Sequence, residues 1–323
     1  MTEPPDEFAW IDRLRPLTRG DARALDLRDD AAVLPARPGF DLVISKDTLV
    51  EGVHLLEGED AEIIARRLLR TSLSDLAAKA AEPFGYFLST AWPRTRGWPD
   101  RESFIRGLAE DGEAFGVALL GGDTVSTPGA FTVSATVLGW TPSGRTVLRS
   151  GARPGDVLMV CGHIGDGGLG LRAACGEIDD PLGRLAACYR LPSPLLGLRD
   201  ALRAHAQAAA DVSDGLLADA GHIAEASGLA ITIDLDRLPI SAEAAAWREQ
   251  QADDSEALLA LATAGDDYAI VCAIDPQGES AFLGEVAALR VPAAVIGRFA
   301  EGTGMTVMAA GAPVGVRELG WRH

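Results

Sequence analysis

Phe40-Asp41-Leu42-Val43-Ile44-Ser45-Lys46-Asp47 runs from apolar residues into a carboxylate, and the organisation of the N-terminal half follows from it. Period-two alternation makes this a strand leading into a loop, with Ser45 and Asp47 on one face and Lys46 on the other. A carboxylate there loses hydration and gains no packing. The same feature recurs at Asp29-Asp30, Ser74-Asp75, Gly121-Gly122-Asp123-Thr124 and Asp211-Val212-Ser213-Asp214-Gly215. Most of these lie where an apolar run ends or glycine begins. Clustered carboxylates repel one another, so a site holding several needs cations between them. Oxygen ligands from Asp, Ser and Thr suit Mg²⁺, usually shared with substrate phosphates. These residue types therefore predict a multi-magnesium polyphosphate site.

Outward from this strand, residues 60–81 read as a helix with Asp60 at its N-cap. Ile64, Leu68, Ser72 and Asp75 share one face, which starts apolar and ends in a carboxylate. A second helix is expected over 101–115. A short strand over 116–120 should end at Gly121, and another over 131–139 alternates Val133, Ala135 and Val137 against Thr132, Ser134 and Thr136. Ala31 to Leu34 reads as the start of a strand after Asp29-Asp30. Residues 141–156 are rich in Gly, Pro, Ser and Arg, which places a boundary between domains 1–145 and 146–323. The second domain reads as a strand over 157–161, a glycine-rich turn over 162–168 and a helix. Further strands follow at 208–212, 229–235, 269–274 and 293–296. Ser213 or Asp214 should cap a helix that Gly228 ends. The class is α+β, two α/β-layered domains, without a fixed-period repeat.

Composition narrows the function classes. The 323 residues are 47% hydrophobic and 24% charged, as in a globular protein of about two domains. The formal net charge of −18 argues against a nucleic-acid partner, which needs a basic footprint. Lys46 and Lys79 are the two lysines against 27 arginines, and no Gly-x-x-x-x-Gly-Lys-Ser/Thr loop exists. A nucleotide would have to be held through metals. No apolar run is long enough for a membrane span, and the acidic start lacks a signal peptide's basic and apolar regions. A cytoplasmic protein with reduced Cys161, Cys175, Cys188 and Cys272 is expected.

Each motif alone also has a structural reading. Asp29-Asp30 fits a solvated turn, and Asp75 fits an i,i+4 ion pair with Lys79. His54 fits a surface or capping histidine. Gly165, Gly167 and Gly168 could cradle phosphate through backbone N–H groups, yet such turns are common. Asp211 and Asp214 at a helix start are harder to dismiss, because a cap explains one carboxylate and not two. Arg149 suits a phosphate clamp or plain solvation. No nucleophile arrangement is present, and phosphoryl transfer needs none.

Taken in order, the motifs resemble the thiamine-monophosphate kinase family, of the superfamily that includes aminoimidazole ribonucleotide synthetase. The match runs through Arg28-Asp29-Asp30-Ala31-Ala32, Ser45 to His54, Ser72 to Ala78, Gly121 to Thr124, Arg149 to Asp156, Asp211 to Leu216, Gly265-Asp266-Asp267-Tyr268 and Gly320-Trp321. The resemblance implies that ATP phosphorylates thiamine monophosphate directly, without a phosphoenzyme. It implies several Mg²⁺ held by Asp30, Ser45, the Lys46 carbonyl, Asp47, Asp75, Asp123, Asp211 and Asp214, with Asp47, Asp75 and Asp123 catalytic. It implies ATP contacts at Gly122, Asp123, Arg149 and Ser213, and substrate contacts at His54, Asp266 and Trp321. It also implies the aminoimidazole ribonucleotide synthetase-like fold and a homodimer to which the N-terminal sheet contributes. Arg28, Lys46 and Asp266 depart from the Gly, Thr and Glu frequent at those positions. Other superfamily activities compete with this reading. A selenophosphate synthetase is disfavoured because no cysteine lies in the first 160 residues. A non-catalytic acidic scaffold is disfavoured because all the carboxylates are kept.

Overall fold

The structure, a computed structural model, describes residues 7–321. The acidic start at residues 1–6 lies outside the described residues. The chain forms two compact units, Met1–Leu76 with Ala81–Gly144, and Ala77–Ala80 with Arg145–His323.

The first unit begins with α1 (Glu7–Leu14) and then builds β1 (Phe40–Val50), α2 (Ala61–Ala78), β2 (Glu82–Pro93), α3 (Trp98–Phe115), β3 (Ala118–Thr127) and β4 (Thr132–Pro142). Its sheet runs β1-β4-β2-β3. Only β2 and β3 are parallel within it. Tyr86, Leu88, Trp92, Val133, Ala135 and Val137 are buried on one face, where Trp92 meets Phe104 of α3 edge-on at 5.4 Å. Ile64, Leu68 and Ser72 of α2 are fully buried, as their shared face predicts. The other face leaves Leu42, Ile44 and Val125 exposed.

Three expectations change here. β1 continues through Asp47 to Val50, because its whole length pairs with β4. Ala31 to Leu34 is not a strand. Gly121-Gly122-Asp123-Thr124 is not a turn but the middle of β3. Gly122 allows this: a Cβ there would fall 1.9 Å from the Leu88 carbonyl oxygen across the β2–β3 pairing. β2 itself escaped the sequence reading, although Tyr86, Leu88, Thr90 and Trp92 alternate along it.

The second unit carries β5 (Val157–Cys161), α4 (Asp166–Ala174), α5 (Arg184–Arg190), α6 (Arg199–His205), β6 (Ala206–Asp211), α7 (Leu216–Ser227), β7 (Ala230–Asp234), α8 (Ala242–Arg248), α9 (Asp254–Thr263), β8 (Ile270–Ile274), α10 (Glu279–Ala288), β9 (Ala293–Ala300), β10 (Gly304–Ala309) and β11 (Ala312–Pro313). Its seven strands run β11-β10-β7-β9-β5-β8-β6. Leu158 and Val160 of β5 join one core with Leu216, Leu217 and Ile223 of α7. Val157, Met159 and Cys161 join another with Phe282 and Val286 of α10. Burial on both faces makes β5 and β8 uninterrupted apolar runs, which is why they stand out in the sequence.

Candidate functional site

In the first unit the structure sorts the expected ligands into two groups. Ser45 and Asp47 project from β1 toward α2, and the Ser45 hydroxyl donates to Asp75 Oδ2 at 2.5 Å. Burial, and then the charge of Asp75, push the Asp47 carboxyl up to about 6, against the opposing pull of the Ser72 hydroxyl and the Lys46 charge. Two carboxylates and a hydroxyl, one acid destabilised by the other, form a donor set that suits a hard divalent cation. The Lys46 side chain lies on the opposite face, where Nζ donates to Ser134 Oγ at 2.7 Å. That leaves its carbonyl as the atom to consider for metal. Asp75 makes no ion pair with Lys79 among the described residues. Lys79 Nζ donates to the Ala209 carbonyl at 2.8 Å.

Asp123 belongs to the second group. The register aligns it with Ser89 and, through β4, with Ser134 and Thr48, so it shares the Lys46 face and not that of Asp47. Asp29, Asp30, Ser89, Gly122 and Asp123 line a cavity of about 440 Å³. The expected trio of Asp47, Asp75 and Asp123 is therefore not brought together. Among the described residues the one cluster of three metal-ligating side chains lies elsewhere, at Asp214, Asp219 and His222. His54 Nδ1 accepts the Val50 N–H at 3.2 Å, which in the neutral ring puts the proton on Nε2. The capping reading of His54 thus has a concrete partner.

In the second unit the Asp211-to-Gly215 motif links β6 to α7. Asp211 is buried at the strand end. The helix N-cap is Gly215, with φ 132°, and no side chain caps it. This corrects the expected Ser213 or Asp214 cap, while Gly228 does end the helix. The loop is instead braced from within the helix: Asp219 Oδ2 accepts the N–H groups of Ser213 and Asp214 at 3.1 and 3.2 Å. Burial, and then the charge of Asp214, push the Asp219 carboxyl up to about 7, with Arg149 opposing. The sequence reading missed Asp219. Its i+5 spacing from Asp214 was the available signal.

Asp266 stands at φ 61°, with its N–H donated to the Ser213 carbonyl at 2.8 Å. Gly265 is required beside it, since a Cβ would meet the Ser213 carbonyl oxygen at 2.6 Å. The neighbouring Asp267 carboxylate accepts the N–H groups of Gly165 and Gly167 at 2.9 to 3.0 Å. That glycine turn is therefore tied internally by a carboxylate and does not offer those amides as a phosphate cradle. Trp321 donates its N–H to the Asp214 carbonyl at 2.8 Å. Its side chain stays 59% exposed and lines a cavity of about 460 Å³ with Asp214, Ala218, His222 and Met305. Gly320 makes this docking possible, because a Cβ there would lie 2.4 Å from the Asp214 carbonyl oxygen.

Residues 28–141 match the AIR synthase related protein, N-terminal domain, and residues 153–310 match the C-terminal domain of the same family. The chain is 58% identical over 321 residues to the thiamine-monophosphate kinase of Caulobacter vibrioides, covering 99% of this chain and 91% of that one. It superposes on the thiamine-monophosphate kinase of Stenotrophomonas maltophilia K279a with a TM-score of 0.84 at 35% identity, covering 95% of this chain and 98% of that chain. AaThiL complexed with AMPPCP and TMP gives a TM-score of 0.78 at 27% identity, covering 98% and 96%. The two domains and their carboxylate loops define a member of the AIR synthase related proteins. Within them, the chain belongs to the thiamine-monophosphate kinase family. Among the described residues no helix is long and apolar enough to cross a membrane.

Proposed function

We propose that this chain transfers the γ-phosphoryl group of ATP directly to the phosphate of thiamine monophosphate, giving thiamine diphosphate and ADP. The full-length likeness to a thiamine-monophosphate kinase at 58% identity carries this reading. A relative that holds an ATP analogue together with TMP supports it. The test is release of ADP from ATP and Mg²⁺ with thiamine monophosphate, against aminoimidazole-pathway substrates and no acceptor. ADP release independent of thiamine monophosphate sinks the assignment.

We assign Mg²⁺ ligation to Ser45, the Lys46 carbonyl, Asp47 and Asp75 as one group, to Asp30 and Asp123 as another, and to Asp211 and Asp214 in the second unit. The bound ions would neutralise charge developing on the transferring phosphoryl group. Ser45 orients the Asp75 carboxylate through its hydroxyl. Gly122 and Asp123 in the first unit are assigned to the ATP phosphates, and Arg149 and Ser213 in the second unit are each assigned an ATP contact. His54, Asp266 and the open ring of Trp321 are assigned to thiamine monophosphate. Exposed Leu42, Ile44 and Val125, on the sheet face opposite Ser45 and Asp47, are the surface we propose for a homodimer. The four free cysteines fit a reducing, cytoplasmic setting.

Two results are expected. Both lysine ammonium groups are already engaged, with Ser134 and Ala209. ATP affinity should therefore rest on metal: calorimetric titration with excess chelator should weaken ATP binding by roughly tenfold or more, the worth of a single good charged contact. Equal affinity with and without chelator contradicts the metal-bridged assignment. Trp321→Ala should raise KM for thiamine monophosphate several-fold, since ring stacking is worth about 1 kcal/mol beyond area burial. KM for ATP and the melting temperature should barely move, because the ring is largely exposed. A melting point several degrees lower with normal KM for both substrates would make Trp321 a tail clamp.

A further inference from the structure

We propose that Asp219 and His222 join Asp214 to form a binding site for one divalent transition-metal ion at the start of α7. The proposal rests on the proposed function only in sharing Asp214. A carboxylate oxygen from each aspartate and a ring nitrogen of His222 lie within 4.8 Å of one another. Two ligands about 2.1 Å from one ion are about 3.4 Å apart in a tetrahedral set, so side-chain adjustment of up to roughly 1.4 Å completes the set. His222 is exposed and can supply that adjustment. It follows Asp219 by three residues on the helix, so the two share a face.

A separate observation points to a ligand. Asp219 is fully buried, and only its Oδ2 is used, by the amides of Ser213 and Asp214. Its Oδ1 is buried and has no hydrogen-bond partner among the described residues. A buried carboxylate oxygen left bare is costly, and a cation would satisfy it. No lysine or arginine pairs with any of the three side chains among the described residues. Arg149 acts on Asp219 through its charge alone. The donor set also carries selectivity. Two carboxylates with an imidazole suit Mn²⁺ or Zn²⁺ better than Mg²⁺, which prefers oxygen throughout.

The experiment is a Mn²⁺ titration of the whole protein by electron paramagnetic resonance, without nucleotide or thiamine compound. Failure of phosphoryl transfer and failure of this site are then separately visible. Wild type should show a Mn²⁺ class that His222→Ala weakens tenfold or more, that Asp219→Asn removes and that Asp75→Asn leaves in place. Substoichiometric Mn²⁺ should also broaden the ring-proton resonance of His222, assigned by its loss in His222→Ala. Should Asp219→Asn misfold, the exposed His222 substitution still decides. Identical stoichiometry and affinity in wild type and His222→Ala, or an unbroadened His222 resonance, overturns the site.

Discussion

Asp75→Asn is expected to lower kcat by roughly 10² or more, in the range seen when one preorganised electrostatic element is removed from an active site. Asn keeps the shape of the side chain and its carbonyl oxygen can still accept the Ser45 hydroxyl, so local geometry survives. What disappears is the negative charge. The neutral hydrogen bond that remains is worth about 1 kcal/mol, whereas a hundredfold loss corresponds to about 2.7 kcal/mol. The two readings of Asp75, structural partner of Ser45 or charged ligand, therefore separate by size of effect. Loss of the charge also removes one of the two causes that raise Asp47, so the fold should not suffer. Steady-state kinetics at saturating Mg²⁺, beside a thermal melt, make the measurement. Turnover like the wild type's, at an unchanged melting temperature, would mean that Asp75 does not serve the chemistry.

That prediction uses a residue whose place was readable from sequence. Ile64, Leu68, Ser72 and Asp75 trace one helical stripe, and a buried stripe that ends in a carboxylate delivers the carboxylate wherever the helix points. Alternation along β1 likewise separated Lys46 from Ser45 and Asp47. The sites that sequence did not disclose depend on strand pairing. The face that Asp123 occupies follows from its register with Ser89, and β2 had not been recognised as a strand. Gly121 and Gly122 look like a turn because glycine usually makes turns. Here Gly122 is demanded by the closeness of the Leu88 carbonyl, a distance that only the folded sheet defines. Asp267 was hidden for a similar reason. Its partners, Gly165 and Gly167, are about a hundred residues away in the chain. The apolar runs of β5 and β8 needed no such knowledge.

The largest loss of stability is expected from Asp111→Ala. Asp111 is fully buried in α3 and accepts hydrogen bonds from Arg66 Nε at 3.2 Å, and from Arg70 Nη2 at 3.0 Å and Nε at 2.5 Å. Both arginines belong to α2, so one carboxylate ties the two helices that cover the sheet. Breaking a buried ion pair from one side leaves the other charge uncompensated, at a cost of about 3–5 kcal/mol. Arg66 retains Glu110 at 3.0 Å, which limits its share of the penalty. For a unit of this size the melting temperature should fall by on the order of 10 °C. Activity should fall as well, because Asp75 lies one and a half turns beyond Arg70 on the same helix, and its meeting with Ser45 depends on how α2 sits. Replacing Arg70 by Leu in the Asp111→Ala background should cost less than the same replacement in the wild type, because the Asp111–Arg70 contact is already gone, a non-additivity that a double-mutant cycle measures directly. An Asp111→Ala protein that melts with the wild type, or a double mutant that simply adds the two losses, would show that packing alone seats α2 and that the Asp111 network contributes nothing to the position of Asp75.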